Sequence, residues 1–211
     1  MINFEKELNK EQYNVILNGD GYCLVLAGAG SGKTRTITYR VAYLLEQGIQ
    51  PENILLLTFT NKAAKEMLSR VEKITGKKPE KLWGGTYHAI ANRILRHFAE
   101  IIGYKNNFTV LDADDAETLM KSCLKDLHLD GGKRFPSVKV IHSLFSFSRN
   151  SLMPLGDVVE ERYPNFLRLE DNIKEVCALY QKKKKESNIM DLDDLLVYWL
   201  EILNNPEILK K

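Results

Sequence analysis

The residues best suited to chemistry are Lys33 and Thr34, which follow the small-residue run Ala27-Gly28-Ala29-Gly30-Ser31-Gly32. Glycines let a backbone turn so that successive N–H groups face inward as an anion-binding nest. A helix that starts at the same point adds its partial positive charge. The Lys33 ammonium can reach the β- and γ-phosphates of a nucleotide as a point charge, and the Thr34 hydroxyl can complete the shell of a Mg2+ ion. Lys33 and Thr34 are therefore the candidate catalytic residues, and Ala27, Gly28, Ala29, Gly30, Ser31 and Gly32 the candidate phosphate cradle. The strict spacing G-x-x-x-x-G-K-[ST] has glycine where this chain has Ala27, a small change that Gly28 and Gly30 offset. The alternative is a glycine turn with an unrelated Lys-Thr after it, so the flanking elements decide.

Tyr22 to Leu26 is a short apolar run between Gly21 and Gly28 and reads as a buried strand. From Thr36 to Gln47 apolar residues recur at helical spacing (Ile37, Val41, Leu44, Leu45), with Gly48 as the stop. Upstream, Asn9 caps a helix to Asn18, and Gln12 stands at its third position as in a capping box. Ile54 to Phe59 is a second strand. Thr60-Asn61 then caps a helix from Lys62 to Ile74, with Gly76 beyond it. Leu82 to Thr86 is a third strand, and Tyr87 to Ile102 a helix closed by Gly103. The alternation β-α-β-α-β-α predicts an α/β fold with a parallel sheet, whose ligands sit at the carboxyl ends of the strands. Gly28–Thr34, Thr60–Lys62 and Thr86–His88 are expected to share that edge.

From Tyr104 the strand alternation stops. Asn106 to Leu111 reads as a short extended piece. Helices are expected at Asp112–Leu127, Ser137–Arg149, around Val158 and at Glu170–Glu186, with a loop at Asp130-Gly131-Gly132 and a last helix starting near Asp191. The run Lys182–Lys185 reads as a solvated, dipole-complementing face or as a contact to duplex DNA. A net charge of +2 means that affinity for nucleic acid must come from local patches. Cys23, Cys123 and Cys177 lack metal-ligand spacing and read as reduced core residues of a cytoplasmic protein. No apolar run is long enough for a membrane span.

Three local patterns resemble one family. Leu8-Asn9-Lys10-Glu11-Gln12 resembles the Q motif of superfamily 1 DNA helicases of the UvrD, Rep and PcrA type. Residues 27–35 are similar to that family's Walker A, including its alanine at the first position, and Leu57 to Met67 resembles motif Ia. Gly85-Thr86-Tyr87-His88-Ala89 and Met190-Asp191-Leu192-Asp193-Asp194-Leu195-Leu196 are similar to two further segments of the family. The resemblance implies ATP and Mg2+ as cofactors and single-stranded DNA and its junctions with duplex as partners. It also implies DNA-repair proteins and the rest of the motor as further partners. It implies that Gln12 reads adenine and that Arg35 lies near base or ribose. Phe59, Tyr87 and His88 would stack on or contact DNA, with Thr60, Asn61, Lys62 and Thr86 beside them. Local readings stay open at several of these: Gln12 and Thr60 as caps, Phe59 as core, His88 as a packing residue. Asp191, Asp193 and Asp194 read as structural, with Asp191 as a helix cap.

On this resemblance, residues 1–103 are the first part of a RecA-like P-loop motor, 104–187 an all-helical insert, and 188–211 a return helix. The sequence offers no apolar strand ending in Asp-Glu-x-x, so the chain is expected to be an N-terminal portion with an incomplete sheet, the edge at its Leu24 strand left exposed or covered by an association. Motion would be 3′ to 5′, in DNA repair or replication. The alternatives are the helicase portion of a helicase–nuclease subunit, a binding module without turnover and, more distantly, a small-molecule P-loop kinase.

Overall fold

The computed structural model describes residues 2–130 and 135–206; Gly131-Gly132 of the expected loop and the last five residues lie outside them. The chain divides into two compact units, residues 1–90 and 91–211.

The first unit opens with a short helix α1 (Phe4–Glu7), then α2 (Lys10–Asn18), whose Asn9–Gln12 capping box forms as expected. Helix α3 (Lys33–Glu46) starts three residues earlier than the apolar spacing indicated, directly at the Lys-Thr pair. Strand β1 (Leu55–Thr58) leads into α4 (Asn61–Thr75), capped by the Thr60 hydroxyl and closed by Gly76 in the left-handed conformation. Strand β2 (Trp83–Thr86) runs into α5 (Tyr87–Phe98). β1 and β2 pair in parallel over Leu55↔Trp83 to Thr58↔Thr86. Val41 of α3, Ile54, Leu56 of β1, Met67 and Val71 of α4, and Leu82 form the core beneath this ladder. A second core joins Phe4, Leu8, Ile16, Tyr39 and Ala42. Gly84 is required by close packing, because a Cβ there would lie 2.5 Å from Leu68 of α4.

The predicted strand at Tyr22–Leu26 does not form. The segment has no ladder partner among the described residues, and Tyr22, Leu24 and Leu26 are more than four-fifths exposed. Cys23 is correspondingly exposed rather than a core residue. An apolar run becomes a strand only when another strand satisfies its backbone, and none of the described residues does so here.

In the second unit, the helical run expected to Ile102 ends at Phe98 and continues as a 3-10 turn over Ala99–Ile102. Strand β3 (Thr109–Val110) pairs in parallel with β4 (Ile189–Met190). Between them lie α6 (Ala113–Asp126), α7 (Val138–Ser151), α8 (Leu155–Arg162) and α9 (Glu170–Glu186), and α10 (Leu192–Leu203) follows β4. One core is built from α6 to α9 around Met120, Ile141, Val158, Ile173 and Tyr180. A separate one gathers Leu95, Phe108, Met190 and Leu195. Cys123 and Cys177 are buried in the first of these. Burial pushes the Cys177 thiol up to about 12 and raises that of Cys123, so neither is a nucleophile.

The lysine run is not a solvated face throughout. Lys184 is fully buried, and its ammonium donates to Oδ2 of Asp191 and, at 2.6 Å, to Oδ2 of Asp194. Tyr180 donates to the same Asp191 oxygen at 2.9 Å, and Arg149 of α7 pairs with Asp194. Asp191 also caps α10, with Asp194 completing its capping box, so the structural reading of these aspartates holds. Ile173, Cys177, Tyr180 and Lys184 follow one another at helical spacing, so the lysine occupies the inward stripe of α9.

Removing the Lys184 charge leaves two carboxylates buried together. Lys184→Met is expected to lose about 3–5 kcal/mol of stability in urea unfolding, whereas a loss below about 1 kcal/mol, ordinary for a surface change, would contradict this placement. Burial works to raise the Asp191 pKa, but the Lys184 charge and hydrogen bond outweigh it and hold the group below its usual 3.8. The stability Asp191 contributes is complete above 3.8 and is lost as pH falls through the lower folded value. Urea midpoints should therefore fall more steeply below about pH 4 in the parent chain than in Asp191→Asn.

Candidate functional site

The P-loop segment is shaped by its glycines. Gly30 and Gly32 have φ of +76° and +88°, conformations that a side chain would strain. Gly32 is further constrained, since a Cβ there would meet Nε2 of Gln12 at 2.5 Å. Gly32 is also the N-cap of α3, and no side chain caps that helix. Among the described residues, every other helix of nine or more residues with a described N-cap, apart from α9, has its first turn closed by a side-chain oxygen. The first-turn N–H groups of α3 are thus left to an outside acceptor, the arrangement an anion needs.

The polar side chains around the loop hold contacts within the chain. The Lys33 ammonium donates to the carbonyls of Gly28 at 2.8 Å and Ala27 at 3.2 Å. Ser31 donates its hydroxyl to the Gly28 carbonyl at 2.8 Å. Gln12 donates Nε2 to the Ser31 carbonyl at 2.9 Å while its Oε1 accepts from the Asn9 N–H. The cap role of Gln12 is therefore realised, and the same side chain also ties α2 to the P-loop. Arg35 pairs with Glu7 at 3.0 Å and lies over the Tyr39 ring. Ala29 and Thr34 are exposed.

These residues fit a nucleoside triphosphate: positive-φ glycines, an uncapped helix start, and a lysine whose present partners are solvent-accessible carbonyls. Thr34 fits as one ligand of Mg2+ through its hydroxyl. No group of three or more His, Cys, Asp or Glu is placed to hold a metal among the described residues.

A second constellation lies at the carboxyl end of the β1–β2 ladder. The register puts Thr58 beside Thr86, so Phe59-Thr60 and Tyr87-His88 leave the sheet at one edge. Phe59 is 89% exposed, which excludes a core role, and Tyr87 is about half exposed. Asn61 and Lys62 are exposed in the first turn of α4, and His88 is half-buried. Thr60 accepts from the Ala63 N–H at 3.2 Å, so its hydroxyl acts as the cap. Thr86 is buried, its hydroxyl accepting from the Ala89 N–H, and it positions its neighbours rather than facing outward. The structure therefore brings the motif Ia and Thr-Tyr-His residues together at the ladder's end. Among the described residues, no strand pairing joins the P-loop to that sheet.

Glu7 and Tyr39 lie against Arg35 beside the P-loop, and neither was singled out from the sequence. Glu7 reaches Arg35 by tertiary contact across 28 residues, from a helix α1 too short for periodicity to reveal, and Tyr39 reaches it from one turn further along α3. No described helix is long and apolar enough to cross a membrane.

Comparison with known proteins agrees with the motifs. Residues 8–211 match the family model for the UvrD/REP helicase N-terminal domain. The chain is 36% identical over 205 residues to the ATP-dependent DNA helicase PcrA of Staphylococcus aureus strain Mu50, covering 96% of this chain and 27% of that protein. It is 37% identical over 207 residues to the PcrA of Staphylococcus epidermidis strain RP62A, covering 97% and 28%. The chain thus spans about a quarter of the length of these relatives. With its mixed helix–strand architecture and short parallel sheets, it belongs to the UvrD/REP helicase family, as an N-terminal domain.

Proposed function

We propose that this chain is the ATP-binding and single-stranded-DNA-binding portion of an ATP-dependent 3′-to-5′ DNA helicase that acts in DNA repair or replication. In this reading residues 1–103 are the first part of a RecA-like motor subdomain, 104–187 a helical insert, and 188–211 a return helix. The protein's setting is cytoplasmic. Its partners are single strands, their junctions with duplex, DNA-repair proteins and the rest of the motor.

The observation that carries the reading is the uncapped start of α3 directly after positive-φ glycines and at Lys33-Thr34. The backbone N–H groups and helix dipole would hold the phosphates, and Lys33 would exchange the Ala27 and Gly28 carbonyls for phosphate oxygens. Gln12 would turn its amide toward adenine, and Arg35 would contribute near base or ribose. Mg2+, held in part by Thr34, would neutralise phosphate charge when bound. DNA would lie on the ladder edge: the exposed face of Phe59 stacks on a base without sequence preference, with Tyr87 and His88 beside it. Asn61, Lys62 and the N-terminus of α4 would take backbone phosphates. The PcrA name of the two staphylococcal relatives favours a helicase over a helicase–nuclease.

Lys33→Ala is expected to weaken MgATP binding by more than about tenfold in calorimetry, since it removes a direct phosphate contact. Unchanged affinity would overturn the nucleotide site. Phe59→Ala should weaken binding of a labelled oligo-dT by about 1–3 kcal/mol in fluorescence anisotropy. Its urea midpoint should stay that of the parent, because so exposed a ring contributes little to folding. Equal affinity of the two proteins would move the DNA site elsewhere.

A further inference from the structure

We infer that Glu7 and Tyr39 are positioning residues for Arg35, holding its guanidinium as a flat, charge-neutralised surface for the base or ribose of a nucleotide rather than for its phosphates. This rests on the nucleotide reading above and names two residues that the motifs do not contain.

Arg35 lies in the first turn of α3, next to Thr34. One of its terminal nitrogens donates to the Glu7 carbonyl at 2.6 Å and to Glu7 Oε2 at 3.0 Å. Tyr39, one turn further along α3, donates its hydroxyl to the same Glu7 oxygen at 2.9 Å. The guanidinium carbon sits 4.9 Å from the centroid of the Tyr39 ring. That ring is only 8% exposed and packs edge-on against Phe4 at 6.3 Å, so the surface beneath Arg35 is fixed.

The Arg35 and Glu7 side chains remain 45% and 51% exposed. An ion pair so open to water adds little to folding. What it does is fix direction: one carboxylate oxygen takes a donor from each of Arg35 and Tyr39, setting the guanidinium over the ring. It also cancels most of the local positive charge, which leaves little for a polyphosphate to gain there. The planar face and the remaining N–H groups stay available, and guanidinium planes stack on nucleobases. The uncapped helix start and Lys33 serve the phosphates; the Glu7–Arg35–Tyr39 group serves the remainder of the nucleotide.

The test is calorimetric titration of the whole chain with ATP and with inorganic triphosphate, each with Mg2+, since triphosphate lacks base and ribose. The parent chain should prefer ATP. Glu7→Gln should weaken ATP about three- to tenfold while triphosphate stays within about twofold, as expected when a charge-assisted orienting contact is reduced to a neutral hydrogen bond. Tyr39→Leu should reduce the same preference, with circular dichroism confirming the fold; if that variant is unfolded, Glu7→Gln alone decides. Loss of both ligands in equal measure, or no change in either, would overturn the inference, as would a parent chain with no preference for ATP. Lys33→Ala separates the two levels: it should weaken both ligands alike, and if it weakens neither, the nucleotide site itself is misplaced whatever Glu7→Gln does.

Discussion

Parallel pairing of β1 with β2 is the constraint from which the rest of the first unit follows. Parallel neighbours cannot be joined by a tight turn, so the chain must cross over, and α4 is that crossover. The four paired residues end flush, at Thr58 and Thr86, and a helix begins within three residues of each. Two helix starts and the residues leading into them therefore meet at one edge. So short a ladder is held by packing: α3 and α4 supply Val41, Met67 and Val71 beneath it, and Gly84 admits Leu68 closely enough to seal it. The position of the candidate DNA residues is a consequence of topology more than of any local motif.

Polar groups in this protein are of two kinds, and burial separates them. Lys184, Asp191 and Asp194 are removed from water and satisfied by each other, by Tyr180 and by Arg149. Such contacts cannot be exchanged without exposing an uncompensated charge, so they fix structure. Around the P-loop, Lys33, Ser31 and Arg35 are exposed and are satisfied by carbonyls or by an open ion pair. Water already competes for those contacts, so a ligand can replace them at small cost. The buried group fixes the helices that carry it, whereas the open contacts suit the proposed binding and release of a nucleotide.

Much of this was legible in the sequence, for physical reasons. The helices were readable because apolar spacing and caps agree: Asn9, Thr60 and Asp191 cap where expected, Asp112 and Ser137 stand as caps at the two expected helix starts, and α9 has the predicted limits. The segment 22–26 was not, because its apolar composition states only that it suits a strand, while a partner must come from elsewhere in the chain. The burial of Lys184 was masked by its neighbours: among four consecutive lysines nothing marks one as inward except the stripe Ile173, Cys177, Tyr180 that it continues. Lys33 and Thr34 were singled out by type and spacing, Tyr87 by its place after the third predicted strand, and Phe59 by the resemblance to motif Ia. Glu7, which acts across 28 residues, required the fold.

The most direct test of the central claim is the map of backbone amide shifts in the 15N-labelled chain, titrated with MgATP and with oligo-dT. MgATP should move the amides of residues 28–35, and oligo-dT those of 59–62 and 86–88. Shifts from either ligand confined to residues 91–206, with these three segments unmoved, would contradict it.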